Sequence, residues 1–231
     1  MGCITKAVVT ELGVMSVIRQ PGMLGRTTRR RLVGVTAALT TAALETLAVV
    51  SWFGLVSGSP SASTALGGLG ILFCGSLLRT GIFGRTVGEL GDLLQPPRVG
   101  AALALTGGWV LWLFVADAVG GRAGVVAGTV VLVVVLTGQL SLERRAFSLR
   151  APRSVLHPLV ALVVPALLLA AGGAVLLASA QVADWTVVSP PLSLEVTTVV
   201  VQIDAIQLGA VGFALCAVLA HQWRFQRTLD P

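Results

Sequence analysis

Charge is scarce in this sequence: only 11% of its 231 residues are Asp, Glu, Lys or Arg, where a soluble domain carries about a quarter. So little charge cannot coat a globule of this length in water. Cysteine is equally sparse. Cys3, Cys74 and Cys216 share no close spacing, which excludes a disulfide framework and a thiolate zinc site, and they are expected as small buried apolar residues. No HExxH, CxxC, GxSxG or Walker pattern occurs. Gly88-Glu89-Leu90-Gly91-Asp92 misses the Gly-x-Gly-Asp of intramembrane aspartyl proteases, because Leu90 stands where Gly is required. No catalytic residue, cofactor or metal site is therefore expected, and the leaning is away from an enzyme.

The amino terminus lacks the charged, apolar and small-residue order of a cleavable signal. Met1-Gly2-Cys3 does not make a lipidation site, since Lys6 occupies the position where myristoylation wants Ser or Thr. Both Met1 and Met15 are open as the start. Lys6 is the sole lysine beside fifteen arginines; with abundant Ala, Val and Gly, this reads as the coding bias of a GC-rich prokaryotic genome.

What the chain has is apolar length. Hydrophobic residues make up 55% of it and the mean hydropathy is +0.91. They gather into six runs, 32–56, 62–78, 99–119, 123–142, 155–180 and 196–220, each near the ~20 residues that a helix needs to cross ~30 Å of hydrocarbon. The runs do not alternate apolar with polar residues, so helices are favoured over a barrel. The expected fold is an all-α polytopic integral membrane bundle of six transmembrane helices, arranged as one domain over 32–220. A leader, 1–31, and a short tail, 221–231, flank it. Ile4, Val8, Leu12, Met15 and Ile18 fall on one helical face, which fits an interfacial amphipathic helix or else an ill-ordered leader. Pro165 is expected to bend the fifth helix.

Orientation follows from arginine and lysine. With the amino terminus inside, the inner segments hold fifteen of the sixteen basic residues, and only Arg122 falls outside. The positive-inside rule then puts both termini in the cytoplasm of a plasma membrane. The net charge of +6 is explained by this distribution and by anionic headgroups, and nucleic acid is not an expected partner, because no basic helix interleaves with stacking aromatics. Trp52, Trp185 and Trp223 lie near run ends, where an interfacial belt is expected.

Small residues mark helix contacts. Gly120, Gly124 and Gly128 recur on one face of the fourth run, Gly100, Ala104 and Gly108 in the third, and Ala205 and Gly209 in the sixth. Such faces let backbones approach closely in lipid. The expected contacts are within the bundle, with self-association as the alternative. The two halves show no matching polar positions that would mark an inverted repeat.

Few residues could carry chemistry. Glu45 lies at the middle of the first run, where an ionised carboxylate costs at least about 2.5 kcal/mol, so it is expected to be protonated or partnered; Thr41 and Trp52 share its face. Asp204 is expected about a third of the way into the sixth run, with Gln207 beside it. Glu45, Asp204 and Gln207 are the candidate intramembrane polar site, able to bind a proton, a cation or a polar solute, or else to act as interhelical glue. Asp117 is expected to pair with Arg122, Gln139 to lie near the inner surface, and Arg79 to reach the headgroups there. His157 and His221 could meet near the inner face as metal or haem ligands. The first functional expectation is a non-enzymatic membrane component, an accessory or scaffold subunit. The second is a small transporter or channel using intramembrane carboxylates, and the third a membrane enzyme acting on lipid.

Overall fold

A computed structural model describes residues 21–58, 61–87, 95–147, 156–181, 185–194, 197–200 and 202–229. The leader helix expected over 4–18 and Cys3 lie outside these residues. Among the described residues six helices make the fold: α1 (Pro21–Gly58), α2 (Ala62–Val87), α3 (Pro96–Val119), α4 (Gly121–Ala146), α5 (Leu156–Gln181) and α6 (Ala205–Leu229). Between α5 and α6 come four short strands, β1 (Thr186–Val188), β2 (Leu192–Leu194), β3 (Thr197–Val199) and β4 (Gln202–Asp204). β1 pairs antiparallel with β4 and β2 with β3, so the connection is a β-ribbon folded back on itself.

All six helices are long and apolar enough to cross a membrane, over Arg31–Gly58, Ala62–Thr86, Pro96–Val119, Gly121–Arg145, Leu159–Gln181 and Ala205–Arg227. Large apolar side chains cover their outward faces: Leu66 is 71% exposed and Phe114 68%. Apolar surface on this scale is stable only against lipid. The chain is thus a multi-pass membrane protein with an all-α six-helix bundle.

The helices form a closed ring in chain order, each packed on its sequence neighbours, and α6 returns to close on α1. Short connections require adjacent helices to run antiparallel. One residue, Gly120, joins α3 to α4, with φ at +71°, a conformation that disfavours any side chain. Ser61 and Thr64 exchange side-chain to backbone hydrogen bonds at 3.0 and 3.2 Å, satisfying free N–H groups at the start of α2. Pro96 and Pro97 open α3, where a missing N–H costs nothing. α5 continues through Pro165 without a break.

Several boundaries differ from the hydropathy runs, for a common reason. α2, α4 and α6 extend past Leu78, Leu142 and Ala220, so Arg79, Glu143, His221 and Arg224 are helical residues inside the bundle rather than loop or tail residues. A run ends at its first charge, whereas a helix does not if that charge finds a partner. The sixth helix starts at Ala205, not Val196. Val196 to Ile203 are β-branched at every position except Gln202; such side chains are stiff in a helix and suit a strand. Asp204 accordingly ends β4 outside the helix.

Small residues set the close contacts. A Cβ on Gly124 would lie 2.2 Å from the Ala116 carbonyl oxygen, and one on Gly128 3.0 Å from Ala116 Cβ. This face of α4 is thus occupied by α3 of the same chain. Gly108 meets Val135, and Gly209 meets Ser179 of α5, while Gly100 has open space around it. Trp52 is buried in the core against Gly68, not in an interfacial belt. Cys74 is exposed on the outer face and Cys216 half-buried, so neither is the buried small residue expected.

Candidate functional site

Four helices carry the same buried stripe, spaced by four, three and four residues. On α1 it runs Ala38, Ala42, Glu45, Val49, on α2 Leu72, Ser76, Arg79, Phe83, on α4 Leu132, Leu136, Gln139, Glu143, and on α6 Phe213, Ala217, Ala220, Arg224; every member is buried. Each stripe is the core face of a helix, and each delivers a charge to the bundle interior. His221, one residue from Ala220, adds a fifth titratable group.

These charges meet. Arg79 donates from Nη1 to Glu45 Oε1 at 3.2 Å and from Nη2 to Glu143 Oε1 at 3.4 Å, bridging two carboxylates from different helices. His221 Nε2 lies 2.6 Å from the second oxygen of Glu45. Arg224 donates to Glu143 Oε2, and the Gln139 amide to Glu143 Oε1. Arg79 is 1% exposed, Glu143 0% and Glu45 3%. With His221 neutral, two carboxylates face two guanidiniums and the network is balanced. At 1.5 Å per residue, it lies about 20 to 33 Å from the ends of these helices that face the β-ribbon, measured from Gly58 to Glu45 on α1 and from Gly121 to Glu143 on α4. Glu45 stands at the middle of its span, Arg31–Gly58, and Arg79, Glu143 and Arg224 lie in the half of the bundle that faces away from the ribbon.

Aromatic layers enclose the network on both sides. Toward the ribbon, Trp109 packs edge-on against Trp112 and Phe213 at 5.4 and 5.6 Å, and Phe53 lies 6.3 Å from Trp112. Toward the termini, Phe83 packs on Phe147 and Phe225 at 5.3 and 5.6 Å. The Arg224 guanidinium lies 3.6 Å from the Phe83 ring centre and that of Arg98 5.3 Å from Phe147, a cation–π arrangement suited to a desolvated charge. The space beside Glu45 and Arg79, among Ala48, Leu72, Gly75 and Trp109, is too narrow to admit a water molecule (≈ 0 Å³).

At the ribbon end the bundle opens. A cavity of ≈ 570 Å³ is lined from α1, α2, α3 and α5. Its α5 lining is Ala180 and Gln181 at the helix end, and Leu69, Val110 and Phe114 of its wall are also exposed on the outside of the bundle. Trp52 and Phe53 form its floor, and Ser57, Asp117 and Gln181 stand at its mouth.

No family model, curated protein or solved structure matches this chain. Its geometry alone therefore carries the functional argument.

The residues singled out in the sequence separate under that geometry. Glu45 is at the centre of the network. Asp204 and Gln207 lie at the opposite end of α6 from His221, about 25 Å away at helical rise. There Asp204 accepts from Thr186 Oγ1 at 3.1 Å and Gln202 Nε2 at 3.2 Å, and its own N–H donates to Gln207 Oε1 at 3.3 Å. These bonds tie the ribbon to the start of α6. Arg79 is inside the bundle, not at the headgroups, because two carboxylates hold it there. Asp117 and Arg122 are both exposed, with no ion pair between them. The His157 side chain is outside the described residues. Among the described residues no cluster of three metal-ligating side chains occurs.

Glu143 and Arg224 were missed as site residues, and His221 was considered only as a ligand beside His157, because each stands beyond the last residue of an apolar run. The signal that finds them is periodic rather than hydropathic: continuing the buried stripe by one more turn arrives at Glu143 on α4 and Arg224 on α6, and His221 adjoins that stripe at Ala220.

Proposed function

We propose that the chain is a small proton-linked transporter of the plasma membrane, in which the Glu45–Arg79–Glu143–Arg224–His221 network is the inner gate. The observation that carries this is a balanced set of buried charges closing one half of the bundle beneath a cavity in the other half. Stability does not account for such a set, since well-packed apolar residues replace buried ion pairs at little cost or with a gain. Intramembrane charges instead mark ion and proton pathways. A proton taken up by Glu45 would leave Arg79 with one carboxylate instead of two and weaken the hydrogen bond to His221. The closure between α1, α2 and α6 would then loosen.

The direction rests on arginine. The network half carries Arg85, Arg98, Arg144, Arg145 and Arg227, the ribbon half Arg122, which supports a cytoplasmic network and an outward-facing cavity. Reporter fusions in the segment after Arg145 are expected to be active only as cytoplasmic fusions; a periplasmic or extracellular signal would reverse the assignment.

Flux tests the function itself. Proteoliposomes holding a trapped pH-sensitive dye are expected to show protein-dependent proton movement down an imposed gradient. Glu45→Gln is expected to lower it at least tenfold while the protein still inserts and elutes as a single species. The lipid-facing Val126→Ala is expected to leave it unchanged. An equal rate in wild type, Glu45→Gln and protein-free vesicles would remove the transport reading.

The tight packing beside Glu45 favours a second reading, a non-enzymatic accessory or scaffold component in which the network is a permanent clamp between helices. That reading predicts no flux in any variant and a loss of stability whenever one partner of the network is removed.

A further inference from the structure

We infer that the cavity at the ribbon end binds a small lipophilic cation, its apolar body among Trp52, Phe53, Leu113 and Phe114 and its charged head at Asp117. This names the substrate class of the transport reading and rests on it only for the step after binding.

The volume, ≈ 570 Å³, lies within the range of about 300–1,000 Å³ typical of small-molecule sites. The walls are apolar and partly aromatic, with Val56, Leu69 and Val110 completing them. Polar groups occur only at the mouth, where Ser57, Gln181 and Asp117 end their helices. Such a lining suits an amphiphile that enters apolar end first. The sign of its head follows from Asp117, the only ionisable group among the described residues of the lining. That carboxylate is exposed and makes no ion pair with another described residue, so its charge is available to a ligand. Indole and phenyl faces on the floor also tolerate a cation better than an anion.

Access from the bilayer is open. Phe114 is 68% exposed and Leu69 37%, so two lining residues also face the lipid. A lipophilic cation concentrated in the outer leaflet could reach the cavity sideways. The network below stops it there, with no water-sized space beside Glu45.

Equilibrium binding to the full chain in nanodiscs of phosphatidylglycerol, which has no ammonium head, tests this without requiring flux. The probes are 2-naphthylethylamine and its uncharged isostere 2-naphthylethanol, with empty nanodiscs as the partition blank. Wild type is expected to bind the amine saturably and at least tenfold more tightly than the alcohol. Asp117→Asn is expected to abolish that preference while keeping alcohol binding. Ala65→Trp, which fills the cavity from α2, is expected to remove both. Equal affinity for the two probes, or an amine preference that survives Asp117→Asn, would overturn the inference. So would competition by lipid acyl chains that leaves no saturable site. Glu45-dependent flux without amine binding would overturn the ligand and leave transport standing; amine binding without flux would do the reverse.

Discussion

Arg79→Met is expected to be the most damaging single substitution in the protein. Its guanidinium is shared between Glu45 and Glu143, and removal leaves two buried carboxylates with Arg224 as the one guanidinium still bonded to the pair and His221 still bonded to Glu45. Breaking a buried pair by deleting one partner costs about 3–5 kcal/mol, because the surviving charge stays desolvated. Unfolding by sodium dodecyl sulfate in mixed micelles would read this as a large fall in the midpoint. The diagnostic result is the rescue. Adding Glu45→Gln to Arg79→Met removes one of the orphaned charges, so the double variant is expected to be more stable than Arg79→Met alone, the non-additivity expected of directly coupled residues. An Arg79→Met protein as stable as wild type would mean that the network does not hold the helices.

The second large effect concerns backbone approach. Gly124→Ala places a methyl group 2.2 Å from the Ala116 carbonyl oxygen, and a helix backbone cannot yield locally as a flexible side chain can. α3 and α4 must separate, with an expected loss of about 1–3 kcal/mol from overpacking, read as a drop in melting temperature in detergent. Gly107→Ala and Gly138→Ala, whose added Cβ meets nothing within 4 Å, are the matched controls. They are expected to be neutral or slightly stabilising, since alanine restricts the unfolded chain more than glycine. Equal effects at all three positions would mean that helix propensity, not close approach, governs the change.

The membrane class and the number of helices were legible because hydropathy reports the solvent that a segment prefers, and six segments prefer lipid. Glu45 was legible for the same reason, as a lone carboxylate far from either end of an apolar run. Its partners were not, because Arg79, Glu143, His221 and Arg224 each stand just past the end of a run, where a charge ordinarily marks the water boundary. Only the four-three-four spacing of buried positions distinguishes a charge that continues the core from one that faces headgroups. Asp204 illustrates the opposite error. The apolar run before it counted as membrane, but its β-branched side chains made a ribbon and left Asp204 at a strand end. The glycines of α4 were legible as a contact surface, and the structure gives that surface to α3. The cavity had no signature, since it is made by residues from four helices that only the ring order brings together.

The order in which the helices emerge bears on how the bundle is completed. Before α6 enters, the network holds Glu45 and Glu143 with Arg79 alone bridging them. Arg224 and His221 arrive only with α6, where each supplies a partner to the second oxygen of one carboxylate. Without α6, the second oxygens of Glu45 and Glu143 would stand inside the bundle without these partners, at the cost that a buried unsatisfied polar atom carries.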